Sequence, residues 1–141
     1  MTKQGLRKFY HSWLAYNRAY QELEKGHHVA FPDTIGKKMI ISFIDSTLQI
    51  LKGVATYDFA GNVELKTVTK QNGTIPFKKT QNNCSRVIYV EVLSTGIDVY
   101  DITNANDINA INNSINVSTN TSQVSLIMKS YKSNAKYTKL I

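Results

Sequence analysis

The chain has 141 residues, enough for one domain with a single hydrophobic core and too few for two independent ones. Its 17 basic and 10 acidic residues give a formal net charge of +7, which favours an acidic partner such as RNA. No apolar run approaches the length of a signal or membrane segment, so we expect an intracellular protein of the nucleus or cytoplasm, without membrane association. The single cysteine, Cys84, excludes an internal disulfide and agrees with a reducing compartment.

The first predicted element is a helix over residues 5–25. Apolar and aromatic residues recur there at helical spacing, and Gly26 is a typical C-terminal stop. Because the stripe is rich in aromatic side chains, we interpret Trp13 and Tyr20 as candidate contacts with a partner subunit. One flank of the helix carries the basic side chains of Arg7, His11, Arg18 and Lys25. That flank is either a solvated edge or a ridge that faces phosphates.

The connection after this helix contains adjacent histidines, His27 and His28. Neighbouring residues point to opposite faces of a strand and lie about 100° apart on a helix, so these two are poorly placed to chelate one ion. We therefore predict no metal site and no cofactor. Pro32-Asp33, a little further on, is interpreted as a turn.

Residues 38–52 allow two interpretations. On a helical wheel the polar side chains gather on one arc, a pattern typical of an amphipathic helix closed by Gly53. The segment is also rich in β-branched residues, and Asp45-Ser46-Thr47 can form a turn between two strands. The residue pattern alone leaves both open.

Two strand–turn–strand patterns follow. In the first, Ala60-Gly61-Asn62 connects two arms rich in β-branched and aromatic residues, and closing this hairpin places Asp58 opposite Glu64. In the second, a long apolar strand over 86–93 is broken by Ser94-Thr95-Gly96 and resumes. Shorter strands are predicted near 75–78 and 123–129, and a helix is predicted by the spacing of Ile108, Ile111 and Ile115.

Both patterns carry a short motif. Tyr57-Asp58-x-x-Gly61-Asn62-x-x-Leu65 resembles the first motif of the Sm and Sm-like RNA-binding family, and Thr95-Gly96-x-x-Val99-x-x-Ile102 resembles the second. The resemblance implies a mainly β fold with an N-terminal α-helix and an Sm-like five-stranded antiparallel barrel. The implied strands lie near 38–44, 48–59, 63–70, 85–93 and 97–102. The implied divisions are an N-terminal helix with its connection (1–37), the barrel (38–102) and an Asn-rich and Lys-rich C-terminal extension (103–141).

In the Sm-like family the function is recognition rather than catalysis. Carried over by position, the RNA-binding residues are Asp58, Asn62 and Gly96, whereas Thr95 and Ala60 replace groups that usually pack on the base. The resemblance therefore favours a ribonucleoprotein-assembly protein with weak RNA binding, similar to the Gemin subunits of the SMN complex. Its partners are expected to be other proteins or further copies of itself, bound through barrel edges that include Val90 and Val92. A ring subunit that binds U-rich RNA directly is the alternative.

Basic residues near the end of the chain suggest electrostatic contacts with RNA. Lys132, Lys136 and Lys139 flank Tyr137, a pattern that suits phosphate contact with aromatic stacking. Lys78 and Lys79 form a further basic pair in a polar loop.

A catalytic interpretation is also open. Asp58, Glu64 and Lys66 match the spacing of PD-(D/E)xK nucleases, in which two carboxylates hold Mg²⁺ and the lysine steadies the attacking water. That family has a helix soon after the lysine, whereas this sequence continues with turns and strands. The sequence thus favours a protein that is not an enzyme. A metal-dependent nuclease, or a basic viral or mobile-element nucleic-acid-binding protein, is the alternative.

Overall fold

The computed structural model describes all 141 residues, which form two β-sheets and three α-helices. The elements follow in the order α1 (Lys3–Leu23), α2 (Asp33–Phe43), β1 (Val63–Val68), β2 (Thr74–Lys78), β3 (Arg86–Leu93), β4 (Gly96–Ile102), α3 (Ala105–Val117), β5 (Gln123–Ile127), a 3₁₀ helix (Lys129–Asn134) and β6 (Lys136–Lys139). None of the three α-helices combines the length and the apolar character that a membrane crossing requires.

The larger sheet has the strand order β1-β3-β4-β6. β1 pairs with β3 in parallel, whereas the β3–β4 and β4–β6 pairs are antiparallel. β2 and β5 form a separate antiparallel pair. Because β1 and β3 are parallel, their last residues, Val68 and Leu93, lie towards the same end of the sheet.

Both faces of the larger sheet are covered. One face packs against α1 and α2 in a cluster that includes Tyr10, Ile40 and Val90. The opposite face packs against α3 and the smaller sheet in a second cluster that includes Phe77 and Ile111. Burial on both faces explains why β3 is a nearly continuous apolar run rather than an alternating one.

Several predicted elements are present with small shifts of their ends. The helix predicted over 5–25 is α1, and the strands predicted near 63–70, 85–93 and 97–102 are β1, β3 and β4. Ile108, Ile111 and Ile115 form the buried face of α3, as their spacing predicts. The fold is therefore an N-terminal helix followed by largely antiparallel strands, within a mixed α/β architecture.

The implied five-stranded barrel is not found. The larger sheet is open and contains a parallel pair, and residues 38–43 belong to helix α2 rather than to a first strand. Pro32 precedes this helix and Asp33 lies in its first turn, where the helix dipole favours a carboxylate. The Pro-Asp pair thus begins a helix instead of forming a turn.

The predicted second strand, 48–59, is also absent. This segment makes one isolated bridge, between Ile50 and Phe59, and a further bridge joins Phe59 to Val63. The tight connection from Phe59 to Val63 is present, with φ of 82° at Gly61 and 60° at Asn62. The turn chemistry was therefore predicted correctly, but one of the two arms is irregular.

The segment predicted as a C-terminal extension contributes to both sheets. β6 pairs with β4 at the edge of the larger sheet, and β5 pairs with β2 in the smaller one. The helix α3 packs on the second face of the larger sheet. Residues 103–141 are therefore integral to the packing of the sheets.

Candidate functional site

The three residues carried over from the Sm-like motifs do not meet. Asp58 and Asn62 lie beside the start of β1, which aligns with the start of β3, whereas Gly96 follows the far end of β3. Because β3 has eight residues, the two places are separated by a distance on the order of 25 Å, at about 3.3 Å per residue. The implied base pocket is not assembled.

Asn62 and Gly96 instead have local structural roles. Asn62 Nδ2 donates a hydrogen bond to the carbonyl oxygen of Asn83 at 3.0 Å. Gly96 has a φ of +140°, and a Cβ there would overlap the backbone carbonyl of Ile141. Only glycine allows this close approach between the β3–β4 turn and Ile141, which follows β6.

The nuclease-like residues do come together, in a closed network around Glu64. Lys66 Nζ lies 2.9 Å from Glu64 Oε2, and Gln81 Nε2 donates to the same oxygen at 2.6 Å. The backbone N–H of Asp58 donates to the other oxygen at 3.2 Å. Burial, with the nearby Asp58 carboxyl as a further cause, raises the pKa of Glu64 to about 7. Glu64 is only 3% exposed, so its carboxylate serves internal donors rather than a bound ligand.

Asp58 has a similar internal role. Its Oδ2 accepts the backbone N–H of Leu65 at 2.9 Å, and its Oδ1 lies 3.3 Å from Lys37 Nζ. Because β1 is an edge strand, Asp58 satisfies an amide that the sheet leaves unpaired. No group of three or more His, Cys, Asp or Glu side chains is placed to hold a metal ion.

The predicted interface residues are mostly inside the protein. Val90 and Val92 are 0% and 1% exposed, because the helices cover their face of β3. Trp13 is buried too, and its ring packs edge-on against Phe31 with centroids 5.5 Å apart. Tyr20 alone of the four is exposed. Val90, Val92 and Trp13 are therefore core residues and are unavailable to a partner.

The two lysines of the predicted basic pair, Lys78 and Lys79, have different environments. Lys79 Nζ donates to three carbonyl oxygens at the end of α3, those of Ile115, Asn116 and Ser118, at 2.5, 3.1 and 2.7 Å. A cation at this position satisfies carbonyls that the helix leaves unpaired and complements the helix dipole. Lys78 is exposed and forms no ion pair.

The three predicted lysines of the tail also differ. Lys132 Nζ lies 2.8 Å from Glu91, which is 1% exposed, and Lys139 Nζ lies 3.2 Å from Asp98. Lys136 is exposed and forms no ion pair. Two of the three tail lysines thus neutralise carboxylates of the larger sheet.

Internal pairing leaves a surface rich in free cations. Seven of the ten acidic residues form ion pairs with five of the seventeen basic residues. Twelve basic residues and only three acidic ones therefore lack an ion-pair partner. Among residues without an ion-pair partner, the ratio of basic to acidic residues is therefore higher than in the whole chain, which has a net charge of +7.

A groove lies at the end of the sheet where β1 and β3 stop. A cavity of about 450 Å³ is enclosed by α1, the loop after β1 and the β3–β4 turn. A second cavity, of about 380 Å³, shares His28, Thr69 and Lys70 with the first and extends as far as Thr74. In open sheets, ligands commonly bind at the carboxyl ends of parallel strands, which is where this groove lies.

The groove is positively charged and rich in hydroxyl groups. Its charged side chains are Arg18 and Lys70, joined by His28, and no Asp or Glu lines either cavity. Neither Arg18 nor Lys70 forms an ion pair within the protein. The hydroxyl-bearing residues of the lining are Thr67, Thr69, Thr74, Ser94 and Thr95. Two unpaired cations among hydroxyl donors suit a phosphate-bearing anion.

Three side chains of α1 fix the wall that carries His28. Trp13 Nε1 donates to the carbonyl oxygen of Ala30 at 3.3 Å, and Asn17 Oδ1 accepts the N–H of Val29 at 2.8 Å. Gln21 Nε2 lies 2.9 Å from His28 Nδ1. Asn17 therefore finds its partner in this segment, which explains how a polar residue fits within the buried stripe.

Only part of this site is indicated by the sequence pattern. Arg18 belongs to the basic flank of α1 for which a phosphate-facing ridge was one interpretation. Lys70 and His28 had no local signal, because they come from separate loops that only the fold brings together. The chain matches no protein-family model, no curated protein and no solved structure.

Proposed function

We propose that this protein binds single-stranded nucleic acid and does not catalyse its cleavage, with Arg18 and Lys70 contacting phosphates in the groove. The observation that carries the proposal is a groove lined by two unpaired cations and no carboxylate. Binding to a polyanion is favoured by release of its counterions, and each neutralised phosphate adds to that effect. The excess of free cations over the rest of the surface favours a polymer over a small anion.

A single strand fits the groove better than a duplex does. The cavity is recessed between α1 and the strand ends, and its volume of about 450 Å³ is small for a rigid double helix. Single strands are commonly held in basic grooves of the protein, whereas duplexes are entered by protruding elements. The Sm-like relationship stays a hypothesis, and the open sheet gives it no support. The closed network around Glu64 likewise gives no support to a nuclease.

The test compares two double variants that remove the same charge. Arg18→Ala/Lys70→Ala removes the groove cations, and Lys52→Ala/Lys78→Ala removes two exposed lysines outside the groove. Fluorescence anisotropy of a labelled single-stranded oligonucleotide gives the affinity as a function of salt. We expect the groove variant to bind about tenfold more weakly at low salt and its logarithmic salt slope to be shallower by about 1.4, because two phosphate contacts are lost.

Three outcomes would contradict the proposal. Equal loss of affinity in both double variants would show that binding is spread over the surface. Tighter binding of a duplex of the same length would exclude a single strand as the preferred ligand. Equally tight binding of a mononucleotide would assign the groove to a small ligand.

A further inference from the structure

Three tyrosines form a row on the face of the larger sheet that α3 covers. Tyr89 on β3, Tyr100 on β4 and Tyr137 on β6 stand opposite one another in the strand register. Their ring centroids are 5.9 and 5.2 Å apart, and the rings are tilted by 32° and 39°. These distances are typical of interacting aromatic pairs. Exposure increases along the row, from 0% at Tyr89 to 51% at Tyr137.

Polar contacts hold the exposed end of the row in place. Tyr137 Oη donates to Asp98 Oδ1 at 2.7 Å, and Lys139 Nζ lies 3.2 Å from the same oxygen. Lys132 Nζ lies 4.7 Å from the centroid of the Tyr100 ring, a cation–π geometry. Tyr137 has an aromatic neighbour on the Tyr100 side only. Its ring is thus fixed before any ligand arrives, and it ends the row at the edge of the sheet.

The row of tyrosines lies on the opposite face of the sheet from the α1 wall of the groove, and Lys139 connects the two at the end of the sheet. Thr95, in the β3–β4 turn, lines the groove, and its carbonyl oxygen accepts a hydrogen bond from Lys139 Nζ at 3.4 Å. Lys139 in turn contacts Asp98, the residue that holds Tyr137. A nucleic-acid strand that leaves the groove over this turn therefore passes Lys139 and then reaches Tyr137.

We propose that the exposed face of Tyr137 stacks on a base of the single strand whose phosphates lie in the groove, so that the base extends the row of rings. The inference rests on the proposed function. The neighbours of Tyr137 along β6 are Lys136, Thr138 and Lys139, which are too polar for an apolar protein interface and suit a base attached to phosphates. Because every base has a π-face, the site tolerates any sequence.

The experiment compares Tyr137→Ala with Tyr137→Phe, using anisotropy with a single-stranded oligonucleotide. Loss of the ring should weaken binding about tenfold or more without changing the salt slope, because no phosphate contact is lost. The Phe variant should bind within about twofold of the unmodified protein, since the ring is retained. Tyr16→Ala, which removes another exposed tyrosine, is the matched control and should have no effect.

An oligonucleotide with abasic sites separates stacking from damage to the fold. It keeps the phosphates, so Tyr137→Ala should bind it as tightly as the unmodified protein does. If Tyr137→Ala loses affinity equally for both oligonucleotides, or if Tyr137→Phe loses as much as Tyr137→Ala, the stacking proposal is overturned. If Arg18→Ala/Lys70→Ala weakens binding and Tyr137→Ala does not, the stacking proposal fails while the groove stands. If the unmodified protein binds neither oligonucleotide, the proposed function fails first.

Discussion

The cations near the first residues of β1 and β3 and the cations of the groove at their last residues differ in whether they have a carboxylate partner. Near the first residues of these strands, Arg86 contacts Asp45 and Asp101, and Lys66 contacts Glu64, so cations and carboxylates are paired. Towards the last residues, Lys132 and Lys139 pair with carboxylates on the α3 side of the sheet. The groove cations Arg18 and Lys70, in contrast, have no ion-pair partner. The paired cations stabilise the fold, and the unpaired cations of the groove are available to an anion.

The partner of a charged residue therefore says more about its availability to a ligand than its residue type does. The lysines that the sequence singled out include Lys79 and Lys132, which bind helix carbonyls and a buried carboxylate inside the protein. Arg18 gave a weaker signal and Lys70 gave none, and neither forms an ion pair. Removing a paired charge should change stability, and removing a free cation of the groove should change binding.

The largest expected effect is at Arg86. Its guanidinium donates through Nε and Nη2 to the two Asp101 oxygens at 2.8 and 2.7 Å, and through Nη1 to Asp45 at 2.7 Å. Arg86→Ala leaves the buried Asp101 carboxylate unpaired, so we expect the free energy of unfolding to fall by about 3–5 kcal/mol in urea denaturation. Lys70→Ala, at the other end, should change it by less than about 0.5 kcal/mol. A similar loss in both variants would remove the distinction between the ends.

The next effect is a pH dependence at Glu64. Its pKa is raised from an ordinary value of 4.5 to about 7, mainly by burial, so the folded protein binds this proton more tightly than the unfolded chain does. The stabilisation is complete below about pH 4.5 and is lost as the pH rises towards 7, by up to about 1.4 kcal/mol per pH unit. Urea denaturation at several pH values between these limits measures that slope.

The matched variants for this slope are Glu64→Gln and Glu22→Gln. The first removes the titrating group and should flatten the dependence, whereas the second changes an exposed carboxylate on α1 and should leave it unchanged. A slope that is the same in all three proteins would place the titrating group elsewhere.

The smallest effect compares two adjacent lysines. Lys79→Met removes three hydrogen bonds to the end of α3 and should cost about 1–2 kcal/mol, seen as a lower thermal midpoint. Lys78→Met removes an exposed cation and should leave the midpoint unchanged. If Lys79→Met instead weakens oligonucleotide binding at unchanged stability, Lys79 contacts phosphate, as the sequence suggested.

Local patterns predicted the helices and strands whose buried residues recur at regular spacing. The buried stripe of α1, the apolar run of β3 and the isoleucines of α3 all have the spacing of their own secondary structure. The α2 helix was one of two interpretations, because its β-branched residues suit either state, and packing against the sheet decides for the helix.

The parallel pairing and the groove could not be predicted in this way. Val63 pairs with Arg86 across a long connection that contains β2, and no short sequence motif indicates that pairing. Two Sm-like motifs in the expected order implied an antiparallel barrel, but Asp58 and Asn62 lie at the opposite end of β3 from Gly96. The groove residues come from α1, the end of β3 and three loops, so only the tertiary fold brings them together.

The most direct test of the difference between the two ends is a titration of ¹⁵N-labelled protein with a single-stranded oligonucleotide, followed by amide chemical shifts. We expect the largest shift changes at residues 69–71 and 93–95, which line the groove, and at Tyr137. The amides of Leu65 and Arg86, at the paired end, should remain unchanged. Shift changes centred on Asp58 to Leu65, or spread evenly over the exposed lysines, would contradict the assignment of binding to the groove.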